Sequence, residues 1–215
     1  LARGELPPDA PSALARLGLV RNRFLGSGIY VISASGTGVA HDTAGQSAVG
    51  LNLAYRPYFQ QAMGGVVAVY AALGANTHER GLYYAAPLYD QETPASAIIG
   101  VVLFKVAFEV FDAALTRVGR PMLLMSPQGV AFASTRPEWL YAVSPPLTQA
   151  RIDEIRALRQ FGQRFDNGVA SALPFRPDAH EALIDGVRYA IERRDIDWND
   201  PAGPWRLVML DDVSA

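Results

Sequence analysis

The run Ile98-Ile99-Gly100-Val101-Val102-Leu103-Phe104-Lys105-Val106 is the most apolar stretch of the chain, and it limits the fold more than any other. It is too short for a membrane helix, which needs about 20 apolar residues. Its β-branched and aromatic content predicts a buried strand. One cation interrupts it. Lys105 shares strand parity with Ile99, Val101 and Leu103, so it is expected on a largely apolar face. A lysine there is costly unless something anionic answers it.

Other elements order themselves around that strand. Residues 5 to 11 are rich in turn formers, and Ser12 is expected to cap a short amphipathic turn through Leu14 and Leu17. Ile29 to Ser33 reads as a strand, Ser35 to Gly38 as its turn, and Val39 to His41 as the returning partner. Pro57 suits a first helical turn, and Gly64-Gly65 closes that helix after Met63. Val66 to Leu73 and Gly81 to Ala86 are further strands. Phe108, Val110, Phe111, Ala114 and Leu115 recur at helical spacing, and Gly119 stops the helix.

The β pattern then restarts. Met122 to Met125, Gly129 to Ser134 and Leu140 to Val143 read as short strands, with Pro127-Gln128-Gly129 as a tight turn. Ile152, Ile155, Leu158 and Phe161 line one face of an amphipathic helix. Gly186 to Glu192 and Trp205 to Leu210 are the last strands, with the loop Asp197 to Pro201 between them. The order predicts an α+β fold of two modules with mostly antiparallel sheets, joined near residues 107 to 120.

The chain has 215 residues, enough for one large domain or two small ones. Its net charge of −2, with no run of Lys and Arg, argues against nucleic acid as a partner. It has no cysteine, which excludes disulfides, thiol nucleophiles and thiolate metal sites. No membrane span and no signal peptide are found, and the chain begins at Leu1, as a fragment or processed form would.

Chemistry concentrates in Tyr55-Arg56-Pro57-Tyr58-Phe59-Gln60-Gln61-Ala62, in Gly81-Leu82-Tyr83-Tyr84 and at Lys105. A planar guanidinium offers two N–H donors to the two oxygens of a carboxylate. Arg56 stands at the start of a helix, where free backbone N–H groups add partial positive charge. Lys105 supplies a second, point-like charge. Tyr58, Tyr70 and Tyr84 offer hydroxyl donors and flat walls, and Asn76 and Thr77 offer polar contacts or a lid. The blander readings are that Arg56 pairs with a surface acid and that Lys105 snorkels to water. Tyr83 and Tyr84 alternate faces, so at least one of them serves the core or the surface.

At these residues the chain resembles the periplasmic double-Cache sensor domains of bacterial membrane receptors. It is most similar to the sensor region of the C4-dicarboxylate-sensing histidine kinases. The resemblance rests on Gly50 to Ala62, Tyr70 to Gly74, Glu79 to Tyr84, and Ile99 to Val102 with Lys105-Val106. In the second half it rests on Ser126 to Val130 and Ser134 to Trp139. It covers residues 28 to 145 well and the remainder weakly.

The resemblance implies two tandem PAS-like Cache modules: an N-terminal segment over 1–27, a ligand-binding membrane-distal module over 28–112, and a membrane-proximal module over 113–215. It implies a periplasmic, non-enzymatic sensor domain flanked by membrane helices, in a receptor that pairs as a homodimer and whose output is a histidine kinase. The ligand would be a small organic acid, mono- or dicarboxylate, held by Arg56, Tyr58, Tyr70, Asn76, Thr77, Tyr84 and Lys105, with no cofactor and no metal. Two positions depart from the dicarboxylate pattern: Leu53 stands where the family carries a tyrosine, and Ala75 where it carries a hydroxyl residue. A rival reading is a ligand-free dimerisation module of a diguanylate cyclase or chemoreceptor.

Other constellations fall away. His180-Glu181-Ala182-Leu183-Ile184 starts a zinc-helix motif but lacks its second histidine. The spacing in Gly45-Gln46-Ser47-Ala48-Val49-Gly50 does not make a nucleophile elbow. Gly26-Ser27-Gly28 precedes a strand, where a dinucleotide fingerprint must follow one. Trp139 and Trp205 are expected in the core of the second module.

Overall fold

The apolar run over 98–106 becomes the centre of a sheet. The computed structural model describes every residue except 1, 4–6, 8–9, 44–46, 92–94 and 215. Most of the turn-rich start, and Gly45 and Gln46, therefore lie outside the described residues. The chain divides into two compact units, Leu1–Ala107 and Phe108–Ala215.

The first unit holds α1 (Pro11–Arg23), β1 (Gly28–Ser33), β2 (Gly38–Thr43), α2 (Pro57–Met63), β3 (Ala68–Leu73), β4 (Arg80–Tyr89) and β5 (Ile98–Ala107). Its sheet has the order β2-β1-β5-β4-β3, with antiparallel neighbours throughout. β5 is the middle strand, so its backbone groups are shared by β1 on one side and β4 on the other. That place demands the apolar content seen in the sequence. Val101 and Leu103 are buried with Ile32, Leu53, Tyr58, Phe59 and Tyr70 in one core.

α2 forms because Pro57 presets the helical φ at its first position. It ends at Gly64-Gly65, where Gly65 takes φ 85° and its N–H bonds the Ala62 carbonyl at 3.0 Å. The first helix differs from expectation. Thirteen residues long, it starts at Pro11 with Ala10 as N-cap and no side-chain cap, so Ser12 lies inside the first turn and caps nothing.

The second unit holds α3 (Glu109–Arg117), β6 (Met122–Met125), β7 (Ala131–Ser134), α4 (Gln149–Ala157), β8 (Glu181–Ile184), β9 (Val187–Ile196) and β10 (Trp205–Asp212). Its sheet has the order β7-β6-β10-β9-β8, again antiparallel. The two sheets thus repeat one topology, with β10 in the place of β5. Trp205 and Trp139 are buried, and Phe132 is ringed by Phe108, Phe161, Tyr141 and Trp205 at 4.9 to 6.4 Å.

Two expectations need correction here, and one strand was not expected. Leu140 to Val143 is not a strand: Tyr141 adopts φ 64°, and Val143 makes only isolated bridges to Val130 and Ala172. α4 stops at Ala157, and Phe161 reaches the core from the turns that follow. Glu181 to Ile184, inspected above as a helical zinc motif, is the edge strand β8. No helix among the described residues is long and apolar enough to cross a membrane.

Candidate ligand-binding site

A small cavity of about 50 Å³ lies in the first unit. β1 contributes Tyr30, β4 Tyr83, and β5 Leu103 and Lys105. The segment before α2 supplies Ala48, Leu51, Leu53 and Arg56, and α2 itself supplies Tyr58. The β3–β4 connection closes it with Gly74, Ala75, Asn76 and Thr77. A water needs roughly 10–15 Å³ of such space, so the cavity suits a small molecule.

Arg56 is the N-cap of α2, in extended backbone geometry, and its carbonyl accepts the Phe59 N–H at 3.0 Å. Its side chain is 3% exposed. Nη2 donates to the Leu73 carbonyl at 3.2 Å, and the guanidinium lies 5.1 Å from the Tyr55 ring centre. These two contacts help to fix the group where it lines the cavity.

Lys105 is 5% exposed. Its place follows from strand register: Lys105 pairs directly with Tyr83 on β4 and with Gly28 on β1. Gly81 makes room for its stem. A Cβ there would stand 2.9 Å from Lys105 Cε, closer than packing allows. Nζ donates to Glu79 Oε2 at 3.3 Å and to Thr77 Oγ1 at 3.4 Å. The acid that answers the lysine is itself 68% exposed, so it approaches from the solvent side.

Tyr58 and Tyr83 stack 5.8 Å apart with rings 12° from parallel. Burial pushes both phenols well above the usual tyrosine range. The second-largest influence differs: the Arg56 guanidinium partly offsets the rise at Tyr58, whereas the neighbouring Tyr58 phenol adds to it at Tyr83. Both rings keep their O–H proton at neutral pH, so each phenol is neutral and has a proton to donate.

Five of the seven residues singled out in the sequence line this cavity: Arg56, Tyr58, Asn76, Thr77 and Lys105. Asn76 also ties the β3–β4 connection to the Ser47 carbonyl at 3.2 Å. Two need correction. Tyr84 is 42% exposed, because successive strand residues face opposite ways and its neighbour Tyr83 points inward. Tyr70 is buried in the core, where its ring meets Tyr58 at 5.9 Å, and it does not line the cavity. Sequence reasoning missed Tyr30 and Glu79 and left Tyr83 open. Pairing Gly81 to Ala86 against Ile98 to Val106 so that Tyr83 meets Lys105 was the signal that could have found Tyr83.

No family model matches the chain. Among curated proteins it is 34% identical to the C4-dicarboxylate transport sensor protein DctB of Pseudomonas aeruginosa over 140 residues, 64% of this chain and 22% of that protein. It is 29% identical to the protein of the same name in Rhizobium meliloti over 224 residues, 98% of this chain and 34% of that one. The chain thus spans about a fifth to a third of the length of these relatives.

Among solved structures, the sensor domain of the Vibrio cholerae histidine kinase DctB superposes with a TM-score of 0.77 at 23% identity, over 95% of this chain and 79% of that one. The ligand-binding domain of the Pseudomonas aeruginosa amino acid chemoreceptor PctC, in complex with GABA, gives 0.60 at 18% identity, over 98% and 84%. That of the Pseudomonas fluorescens chemoreceptor CtaA, in complex with L-serine, gives 0.61 at 15%, over 96% and 82%. The chain is similar in sequence to these C4-dicarboxylate transport sensor proteins and has the α+β fold of the DctB sensor domain.

Proposed function

We propose that this chain is the extracytoplasmic sensor domain of a bacterial transmembrane histidine kinase and that the first unit binds a small organic acid. One observation carries the reading: two cationic side chains, each at least nine-tenths buried, line a single cavity with no Asp or Glu among its described lining residues, and the one acid that meets Lys105, Glu79, approaches from the exposed side. Burying a cation costs free energy unless an anion or a set of acceptors compensates it. A carboxylate in the cavity accepts from Arg56 and from the neutral phenols of Tyr58 and Tyr83. The homology to dicarboxylate sensors supports an acid as the ligand class.

In this reading the first unit is membrane-distal, the second is membrane-proximal, and the receptor works as a homodimer. The ligand shifts the balance between two conformations by no more than its difference in affinity for them. Thermal unfolding with a series of mono- and dicarboxylates tests the site. Acid at about 100 times its Kd should add about 2.7 kcal/mol of stability. Arg56→Ala should abolish that gain. A gain that survives Arg56→Ala unchanged would remove Arg56 from the site.

A further inference from the structure

We infer that the second unit carries a binding site of its own, for the phosphate group of a small molecule, in a cavity lined by Arg151, Arg176 and Arg206. It shares no residue with the cavity of the first unit and does not depend on the acid-binding reading.

This second cavity, of about 420 Å³, opens where Arg206 of β10 pairs with Met125 of β6, beside the turn over 126–129 and the segment over 144–146. Pockets for small molecules typically measure about 300–1,000 Å³. Pro127, Pro145, Pro146 and Pro177 line it and have no N–H to offer an anion. The N–H groups of Ser126, Gly129 and Ser144 are already bonded, to the carbonyls of Val130, Ser126 and Gly129. The guanidinium groups are therefore the donors that matter.

Arg151 carries the inference. Nε and Nη2 donate to the Gln128 carbonyl at 3.0 and 2.8 Å, Nη1 to the Ser144 carbonyl at 3.2 Å, and Nη2 to Ser144 Oγ at 3.1 Å. Gly129, at φ 79°, leaves the space for this, since a Cβ there would collide with Nη2 and with Ser144 Oγ. Carbonyls orient the group but carry no net charge. Among the described residues no Asp or Glu pairs with Arg151. A half-buried cation held only by neutral acceptors leaves positive potential in the cavity it lines.

Arg176 and Arg206 stand differently. Arg176 pairs with Asp178, which also lines the cavity, and Arg206 pairs with Asp195, which does not. All four side chains are 42% to 65% exposed, and exposed pairs contribute little, so an incoming oxyanion can take up either guanidinium. Even with Asp195 counted, the charge of Arg151 stays unanswered. The excess is local, because the second unit as a whole holds more acidic than basic residues. A phosphate group brings three acceptor oxygens and about 1.5–2 negative charges to these forks, where a carboxylate brings two oxygens and one charge.

Titration calorimetry in phosphate-free buffer tests the inference, with inorganic phosphate, glycerol 3-phosphate and acetate as probes. The wild type should bind both phosphates, and Arg176→Ala and Arg206→Ala should each weaken them about tenfold. Both side chains are exposed, so neither loss disturbs the core. Asp178→Asn removes the acid that competes for Arg176 and should tighten both about threefold, which a merely structural arginine cluster would not do. Arg56→Ala should leave phosphate binding unchanged. No heat from either phosphate in the wild type would overturn the site, as would affinities unmoved by both arginine substitutions. Phosphate binding lost in Arg56→Ala would place it in the first unit and overturn the second site. An Arg206-dependent affinity for acetate equal to that for phosphate would overturn the choice of phosphate.

Discussion

At the scale of single residues, the stacked phenols of Tyr58 and Tyr83 make a pH-dependent contribution whose sign is fixed. Each group is neutral when protonated, and burial holds both above the ordinary tyrosine value of about 10 that applies in the unfolded chain. Above that value the unfolded state sheds these protons and the folded state keeps them, so the unfolded state binds fewer. The stability they contribute is complete below about pH 10 and declines as pH rises toward the folded values. Urea unfolding followed between about pH 8 and about pH 11 should show a steepening loss of stability, and Tyr83→Phe should make that loss shallower. An identical slope in Tyr83→Phe would mean that the phenol is solvated. The same residues bear on what the sequence discloses. Arg56 and Lys105 stood out in the chain because a charge inside an apolar or aromatic run has few structural uses. Glu79 did not, because an acid in a polar loop looks like any solvated residue until the fold brings Lys105 to it.

At the scale of elements, legibility followed phase and length. β5 could be placed on both counts: its length excluded a membrane span, and its alternation set the face of Lys105. β4 could not be phased alone, since Tyr83 and Tyr84 are equally good strand formers and only the register with β5 chooses between them. β8 was hidden because Glu181 and Leu183 are exposed on an edge strand, leaving too little apolar pattern in so short a run. The tie between β4 and β5 also yields a test. Gly81→Ala places a methyl group against Lys105 Cε at 2.9 Å and Cγ at 3.2 Å, so the lysine stem must shift. Such overpacking typically costs about 1–3 kcal/mol. Acid affinity measured by calorimetry should fall about tenfold as the Nζ position is lost. An unchanged affinity would show that the site tolerates the displaced lysine.

For the molecule as a whole, the repeated sheet order means that each unit buries its own central strand and owns its own core. The cavity residues all lie between positions 30 and 105, inside the first unit. Phe132 lies in the second, fully buried among four other rings. Truncating it to alanine removes those contacts and should destabilise the second unit by about 3–5 kcal/mol. Sites that share no partners contribute nearly independently, so the acid affinity of the folded protein should stay within about twofold. Calorimetric unfolding of Phe132→Ala should then separate into two steps, of which saturating acid raises the one belonging to the first unit, because a ligand stabilises only the unit that holds it. A loss of acid affinity in step with the loss of second-unit stability would show instead that the two cores fold as one cooperative body. A sensor needs some coupling between its units to pass a signal, and allosteric coupling typically amounts to about 1–3 kcal/mol. That is smaller than the destabilisation expected here, which is why the two outcomes can be told apart.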